Sequence, residues 1–600
     1  MILESGKLYN ELKALLIALY LLLGVLSIIE KSPTSDEPLH LVDGIAYYKF
    51  KNFKFDIEHP PLARLWAGLV SFAVKVNLPP KEELIKTDFG ISVSGWSPIN
   101  DFSYARKTLY FMKNKSDLLF FGGRLLILAL GIPLIIVLAQ WSKELYGYEG
   151  SLITLTLICL SPNILAHARL VTTDFASISL AVIASFFLWK FVRAPNINNF
   201  LPSVFLWGFA LATKYTSLFY FLAFHLVAVI LCGNRKKFIL FFFLQIPIII
   251  FIINLCYFFT EPVCGNFLTS KDLQIFPQFS RPIIAFAAKY SFLPRIYING
   301  LIYSFSHSVR GHTAYLFGAL SDKGWWYYFP AAFIIKSTIT TLSLAAFSLI
   351  SIKKKSFSRN ELFFVIPSFL FMLFMMHSNL NIGIRHILIL WPFVFLFAGR
   401  VASLIKRKFL PLILIAALFE NLIIFPHYIS HFNILFGGAK NGWKYLADSN
   451  IDWGQDLKLL SKWWKKEGEP PLILSYAGIA APEYYGIKYQ SCFTYQLIPA
   501  DNTVTADERG REFLAVSIMH LLGIPFGSRN LFLYFMGKRP VKRCGYSIYV
   551  YDIGRDAEAH LVLGAMYRMH NKFSLMKNEF SKSFILDPSV LGTVPNEQTQ

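Results

Sequence analysis

Charge is scarce in this chain. Only 16% of its 600 residues are charged, against 55% hydrophobic, whereas a soluble domain carries about 25% charged residues. The deficit excludes an ordinary soluble protein and indicates a multi-span membrane protein with some aqueous mass attached. Acid is scarcer than base: 37 Asp and Glu face 58 Lys and Arg, a formal charge of +21. That excess does not imply nucleic acid as a partner. Its runs, "GNRKK" (233–237), "KKKSFSR" (353–359) and "KRK" (406–408), each lie between apolar segments, where the positive-inside rule accounts for them. Cysteine is sparse, six residues with no C-x-x-C, so no zinc ribbon is indicated. Cys492 and Cys544 form either a disulfide or two free buried thiols. No G-x-x-x-x-G-K-[ST] or G-x-G-x-x-G loop occurs, so a soluble nucleotide donor has no support. No A-x-A-like site accompanies the first apolar run, which reads as a retained span and not a cleaved signal.

Long apolar runs, by contrast, are plentiful. A helix of about 20 apolar residues crosses a bilayer. Eleven spans are expected, near residues 11–29, 118–140, 150–165, 172–191, 200–214, 216–232, 238–258, 327–351, 361–377, 384–404 and 409–425. With the N-terminus in the cytoplasm, nearly every compact basic cluster falls on that side, and the odd count sends the C-terminal part outside. The outer face then owns two large loops, about 30–117 and 259–326, and everything from 427. Within the first loop "EHPPLARLWAGLVSFAVKV" (58–76) reads as a short interfacial helix, its prolines tolerated in the first turn.

Polar residues recur at one membrane level, the outer rim. Asp36 and Glu37 leave the first span, Asp174 opens the fourth, Lys214 sits where the fifth meets the sixth, and Arg385 and His386 begin the tenth. Arg124 lies inside the second span near its outer end. Ionisable groups at membrane depth are costly and face a protein interior or a watery cavity. Several at one depth indicate a shared outward-facing site; the plainer alternative is a rim of ordinary ion pairs. Carboxylates serve as general bases, and cations clamp phosphate and offset charge on a leaving group. This combination suits transfer from a lipid-linked phosphate donor.

The motifs "DEPLH", "EHPPLARL", "SPNILAHARLVTTD", "GFALATKYT", "GHTAYLFGALSDKGWWYYFPAAFIIK", "NIGIRHILILWPF" and "DSNIDWGQDLKLL", in this order, resemble the dolichyl-phosphate-mannose protein mannosyltransferases and their bacterial relatives, within the multi-span C-type glycosyltransferases. The resemblance implies an inverting transfer, on the outer face, from a polyprenyl-phosphate sugar to a protein, lipid or glycan acceptor. It implies Asp36 as catalytic base with Glu37 beside it, Asp174 as the second acid, and Arg124 approaching the donor phosphate or Asp36. Lys214, His312, Arg385 and His386 are assigned to donor phosphate and sugar. His59 either lines the acceptor path or caps a loop. No metal is expected; the alternative is a divalent cation held by Asp36, Glu37 and Asp174, as in oligosaccharyltransferase relatives. A flippase for lipid-linked sugars would share the spans and charges but show paired repeats, and a glycan ligase would take a larger donor.

From about 427 the composition becomes ordinary. "DWGQDLKLLSKWWKKEG" reads as an amphipathic helix, and "PLILSY", "EFLAVSIM" and "YSIYVYDI" as strands of a small extracytoplasmic α/β domain. The expected organisation is a transmembrane glycosyltransferase domain at 1–426, the α/β domain at 427–555, one tetratricopeptide-like helical hairpin at 556–590 and a disordered tail at 591–600. A lone repeat cannot bury both its faces, so it packs on the preceding domain or on a partner.

Overall fold

The computed structural model describes residues 6–53, 55–80, 98–261, 268, 273–274, 276, 278–290, 292–353, 356–494, 503–527 and 530–589. The expected disordered tail, 591–600, and Lys354 and Lys355 of one basic run lie outside the described residues. The chain divides into two compact units. The first holds Met1–Ile29, Asp36–His312 and Asp322–Gly438; the second holds Glu30–Ser35, Thr313–Ser321 and Ala439–Gln600.

The first unit is helical and carries the apolar segments. Among the described residues four helical stretches are long and apolar enough to cross a membrane: Gly6–Glu30, Ser116–Leu160, Thr173–Arg193 and Arg235–Cys256. The chain is therefore a multi-pass membrane protein. Thr173–Arg193 is the central one, with 78% of its apolar window buried against 33–44% for the others. The stretch Ser116–Leu160 takes in two of the expected spans. It is interrupted at Gly147, whose φ of 76° is costly for a residue with a Cβ. The expected span 150–165 stops at Leu160, where Ser161 accepts a hydrogen bond from Ile164 N (3.4 Å) and starts a separate helix, Pro162–Ala168. The expected span 327–351 is two helices, Tyr328–Lys336 and Ile339–Ile350, bent by 113°; Thr338 restarts the chain by capping Thr341 N. Several other expected spans are shorter helices, such as Ile197–Leu211 and Ser217–Leu231 at 15 residues each. At 1.5 Å per residue they run about 22 Å, less than a hydrocarbon core of about 30 Å.

The first outer loop contributes helix Glu37–Phe50 and the short helix Leu62–Gly68, extended by a 3₁₀ turn at Leu69–Phe72, where the interfacial helix is expected. The two helices cross without side chains between them. A Cβ on Gly44 would overlap the Arg64 carbonyl, and one on Gly68 would stand 2.6 Å from the Gly44 carbonyl carbon. This crossing places Arg64 beneath Glu37–Phe50, where it pairs with Asp56, lies 3.5 Å from Asp43 and donates to His40 Nδ1 (3.0 Å).

The second unit contains a hairpin, β1 (Ala314–Leu316) with β2 (Ala319–Ser321), and a five-stranded mixed sheet. Its strands are β3 (Leu472–Tyr476), β4 (Gln490–Thr494), β5 (Phe513–Ser517), β6 (Lys542–Cys544) and β7 (Ile548–Asp552), in spatial order β4-β3-β5-β7-β6. The β3 pairings to β4 and β5 are parallel, and those of β7 to β5 and β6 antiparallel. The three strands read from sequence are its central ones; β4 and β6 are the edges. Helix Leu457–Lys466 buries Leu457, Leu460, Ser461 and Trp464, the spacing of a one-sided helix. Cys492 and Cys544 are free thiols. They sit on opposite edge strands, four strand spacings or about 19 Å apart, beyond the reach of a disulfide. The terminal helices Ala557–Met569 and Phe573–Leu586 pack on the sheet through Gln490, which donates to Tyr567 Oη and Glu579 Oε1 (both 3.0 Å).

The glycine crossing yields a prediction. Gly44→Ala forces the two helices apart and destabilises the protein by about 1–3 kcal/mol, the cost of overpacking. Gly233→Ala, where nothing lies within 4 Å of a new Cβ, leaves stability unchanged. Thermal unfolding of the two detergent-solubilised variants checks this; equal midpoints would contradict it.

Candidate active site

Asp36 occupies the N-cap of helix Glu37–Phe50, yet its side chain makes no capping hydrogen bond. An N-cap aspartate ordinarily accepts from the second or third backbone N–H of its helix. Here the carboxylate turns to Arg385, whose Nη1 donates to Asp36 Oδ2 at 2.9 Å. Arg385 lies on the 3₁₀ turn Ile384–Ile387, which opens after Gly383 at φ 159°. The Asp36 side chain remains 27% exposed and that of Arg385 13%.

The other two acids are closed off. Glu37 is wholly buried and takes both arms of Arg124, Nε at 2.8 Å and Nη2 at 2.7 Å, together with the backbone N–H of Val171 at 2.9 Å. Arg124 also reaches the Ile28 carbonyl (3.3 Å) and is 2% exposed. Its guanidinium thus faces Glu37. Asp174, in the first turn of Thr173–Arg193, pairs with Lys214; their side chains are 1% and 9% exposed.

Electrostatics tie the pairs into one site. The charges of Arg385, Glu58 and Asp174 all act on Asp36, and Arg385 and Lys214 both act on His386. Burial pushes the Asp36 carboxyl above its usual range, with Arg385 pulling against it. At Glu58 burial also raises the pKa, but the hydrogen bond from His307 (2.8 Å) and nearby cations outweigh it, and the net shift is downward. His59 packs its ring 5.5 Å from that of His40. Burial, reinforced by neighbouring positive charge, holds both imidazoles well below their usual pKa, so they are neutral at pH 7. The Arg64 bond to His40 Nδ1 leaves the proton of that imidazole on Nε2. His386 Nε2 is buried with no hydrogen-bond partner among the described residues. His312 stands 4.8 Å from the His307 ring.

Three basic residues of this site escaped the sequence reading. Lys336 is 1% exposed, donates to the Ile429 carbonyl (2.8 Å) and lies 4.3 Å over the Phe432 ring. Arg169 and His167 are also buried, and the charges of Arg385, Lys336 and Arg169 reach His167. Lys336 ends the apolar run "YYFPAAFIIK". A lone cation inside such a run is a functional signal, hidden here because 327–351 reads as one uninterrupted span.

The carboxylates also bear on a metal. Asp36, Glu37 and Asp174 each already face a cation of the protein, so as arranged they do not form an oxygen cage for a divalent ion. Among the described residues the one cluster with metal-like spacing is Glu512, His560 and Glu579 in the second unit, and Lys582 bridges its two carboxylates at 2.7 and 2.8 Å.

Residues 114–257, about a quarter of the chain, match the dolichyl-phosphate-mannose-protein mannosyltransferase family. They include Arg124, Asp174 and Lys214. No curated protein matches the chain. Two crystal structures of ArnT from Cupriavidus metallidurans, in the apo state and bound to undecaprenyl phosphate, align over 90% of this chain and 97% of theirs. They do so at 10% identity, with TM-scores of 0.46 and 0.45. In its membrane part the chain is similar to the dolichyl-phosphate-mannose-protein mannosyltransferases, the family that its motifs resemble.

Proposed function

We propose that this protein is a membrane glycosyltransferase that moves a sugar from a polyprenyl-phosphate donor to an acceptor hydroxyl on the outer face, with inversion. The observation that carries the reading is the Asp36–Arg385 pair. It joins a partly exposed carboxylate, withheld from capping its own helix, to a cation whose charge also reaches His167 and His386. The mannosyltransferase match over residues 114–257 supports it.

In the reaction Asp36 accepts the proton of the acceptor hydroxyl as that oxygen attacks the anomeric carbon. The lipid phosphate departs from the opposite side. Arg385 and Lys214 offset its charge, and His386 Nε2 has hydrogen-bonding capacity left for phosphate or sugar. Phosphate is a good leaving group, so no general acid is required. Glu37 and Arg124 keep the N-terminal end of helix Glu37–Phe50 against the membrane helices. His59 borders the acceptor path, and His312 belongs with the groups for donor phosphate and sugar.

Asp36→Asn should lower kcat by about 10²–10⁴-fold, the range of a lost general base, with donor affinity within a few-fold of wild type. Release of polyprenyl phosphate and labelled sugar transfer by purified protein measure both. Wild-type turnover by Asp36→Asn would overturn the assignment. Mass spectrometry of envelope glycans from a strain lacking the chain identifies sugar and acceptor, and unchanged glycans would count against transfer.

The pH dependence has a defined sign. Asp36 must be ionised to act, so activity is present above its pKa and is lost as pH falls through it. That pKa is raised, so the acid limb of kcat/KM lies above the ordinary carboxylate value of about 3.9. Arg385→Gln removes the cation that opposes burial and moves the limb to higher pH. An unmoved limb would separate Arg385 from Asp36 in function.

A further inference from the structure

Two of the basic runs in the sequence, 233–237 and 353–359, meet at one cavity of about 710 Å³. It lies where helix Ser217–Leu231 ends and helices Arg235–Cys256 and Arg359–Met375 begin, all three within the first unit. Arg235, Lys236 and Arg359 line it beside Ile230 and Cys232, and among the described residues no Asp or Glu does. Other cations of this unit are matched: Lys190 and Arg193 face Glu144, Arg400 faces Glu361 and Arg407 faces Glu149. The positive-inside rule places cations on one side of a bilayer. It does not gather two separate runs around a cavity that lacks an acid, where like charges repel.

An anion between these cations relieves that repulsion, and the surroundings say what carries it. Helix Arg235–Cys256 is long and apolar enough to cross a membrane, and only 33% of its apolar window is buried. Its charged end therefore stands at the bilayer surface. Residues four apart share a helix face. Ile239 and Phe243 thus follow Arg235 down the helix, and Leu240 and Leu244 follow Lys236; all four are 45–62% exposed. Cations at the surface above an open apolar stripe match a phospholipid, a charged head above acyl chains. Basic pockets between membrane helices take such headgroups. At the helix start Asn234 Oδ1 accepts from Lys237 N (3.0 Å), and the positive end of the helix dipole adds to the attraction. We infer that this cavity binds the headgroup of an anionic phospholipid, with Arg235, Lys236 and Arg359 around the phosphate and the acyl chains along the exposed stripe. The site is independent of the chemistry at Asp36.

The full-length protein, purified in a neutral detergent, is titrated with phosphatidylglycerol or phosphatidylcholine, and bound lipid is counted by native mass spectrometry. Wild type should retain phosphatidylglycerol in preference to phosphatidylcholine. Each Lys or Arg beside an anionic lipid contributes about fivefold in affinity. Arg235→Gln with Arg359→Gln, which takes one charge from each run, should therefore weaken phosphatidylglycerol binding about 10-fold or more. Lys406→Gln with Lys408→Gln removes the same charge from the third basic run, outside the cavity, and should leave binding within about twofold of wild type. Equal loss in both double variants would mean diffuse attraction only and would overturn the inference, as would equal retention of the two lipids by wild type. Displacement of phosphatidylglycerol by inorganic phosphate at the same concentration would mark a site for a free anion and overturn it as well. Should the first double variant not fold, Lys236→Gln alone is expected to weaken binding about fivefold, and unchanged affinity there would refute the site.

Discussion

A carboxylate removed from water needs a cation, and that constraint organises the helical unit. Glu37 has Arg124, Asp174 has Lys214, Asp56 has Arg64, Glu58 has His307 and Asp36 has Arg385. Burying either partner alone costs several kcal/mol, so each pair joins two segments that cannot separate independently. The partners come from distant places: Glu37 and Arg124 are 87 residues apart, and Asp36 and Arg385 are 349. The ion pairs thus set the geometry of the site as well as its charge.

Within that scheme the carboxylates differ in exposure. Glu37 and Asp36 are neighbours in sequence with the same functional group. Glu37 is sealed by three hydrogen bonds, while Asp36 keeps 27% of its side chain open. Under the proposed function Asp36 is the carboxylate left open to an acceptor hydroxyl. The raised pKa follows from the same position, where burial outweighs the opposing pull of Arg385.

The second unit shows the same economy of charge. His560, Glu579, Lys582 and Glu512 form a buried network where the terminal helical pair meets the sheet. That packing meets the requirement that a single hairpin lean on something. Gly564 lies so close to Phe580 that a Cβ would overlap the ring, which keeps the two helices tight against each other.

Much of this was legible in the sequence. Apolar runs marked the membrane helices, β-branched and aromatic runs marked β3, β5 and β7, and the polar motifs singled out Asp36, Asp174, Lys214 and Arg385. These signals are local, and hydrophobic periodicity or a charge in an apolar run reports them directly. The bend between Tyr328–Lys336 and Ile339–Ile350, the breaks at Gly147 and Ser161, and the buried Lys336 were not legible, because an apolar run does not say where its helix ends. Nor did the sequence turn Arg124 toward Glu37 or seat residues 30–35 on a loop more than 400 positions away. Those outcomes depend on which cation reaches which carboxylate first in three dimensions, and only the folded chain decides that.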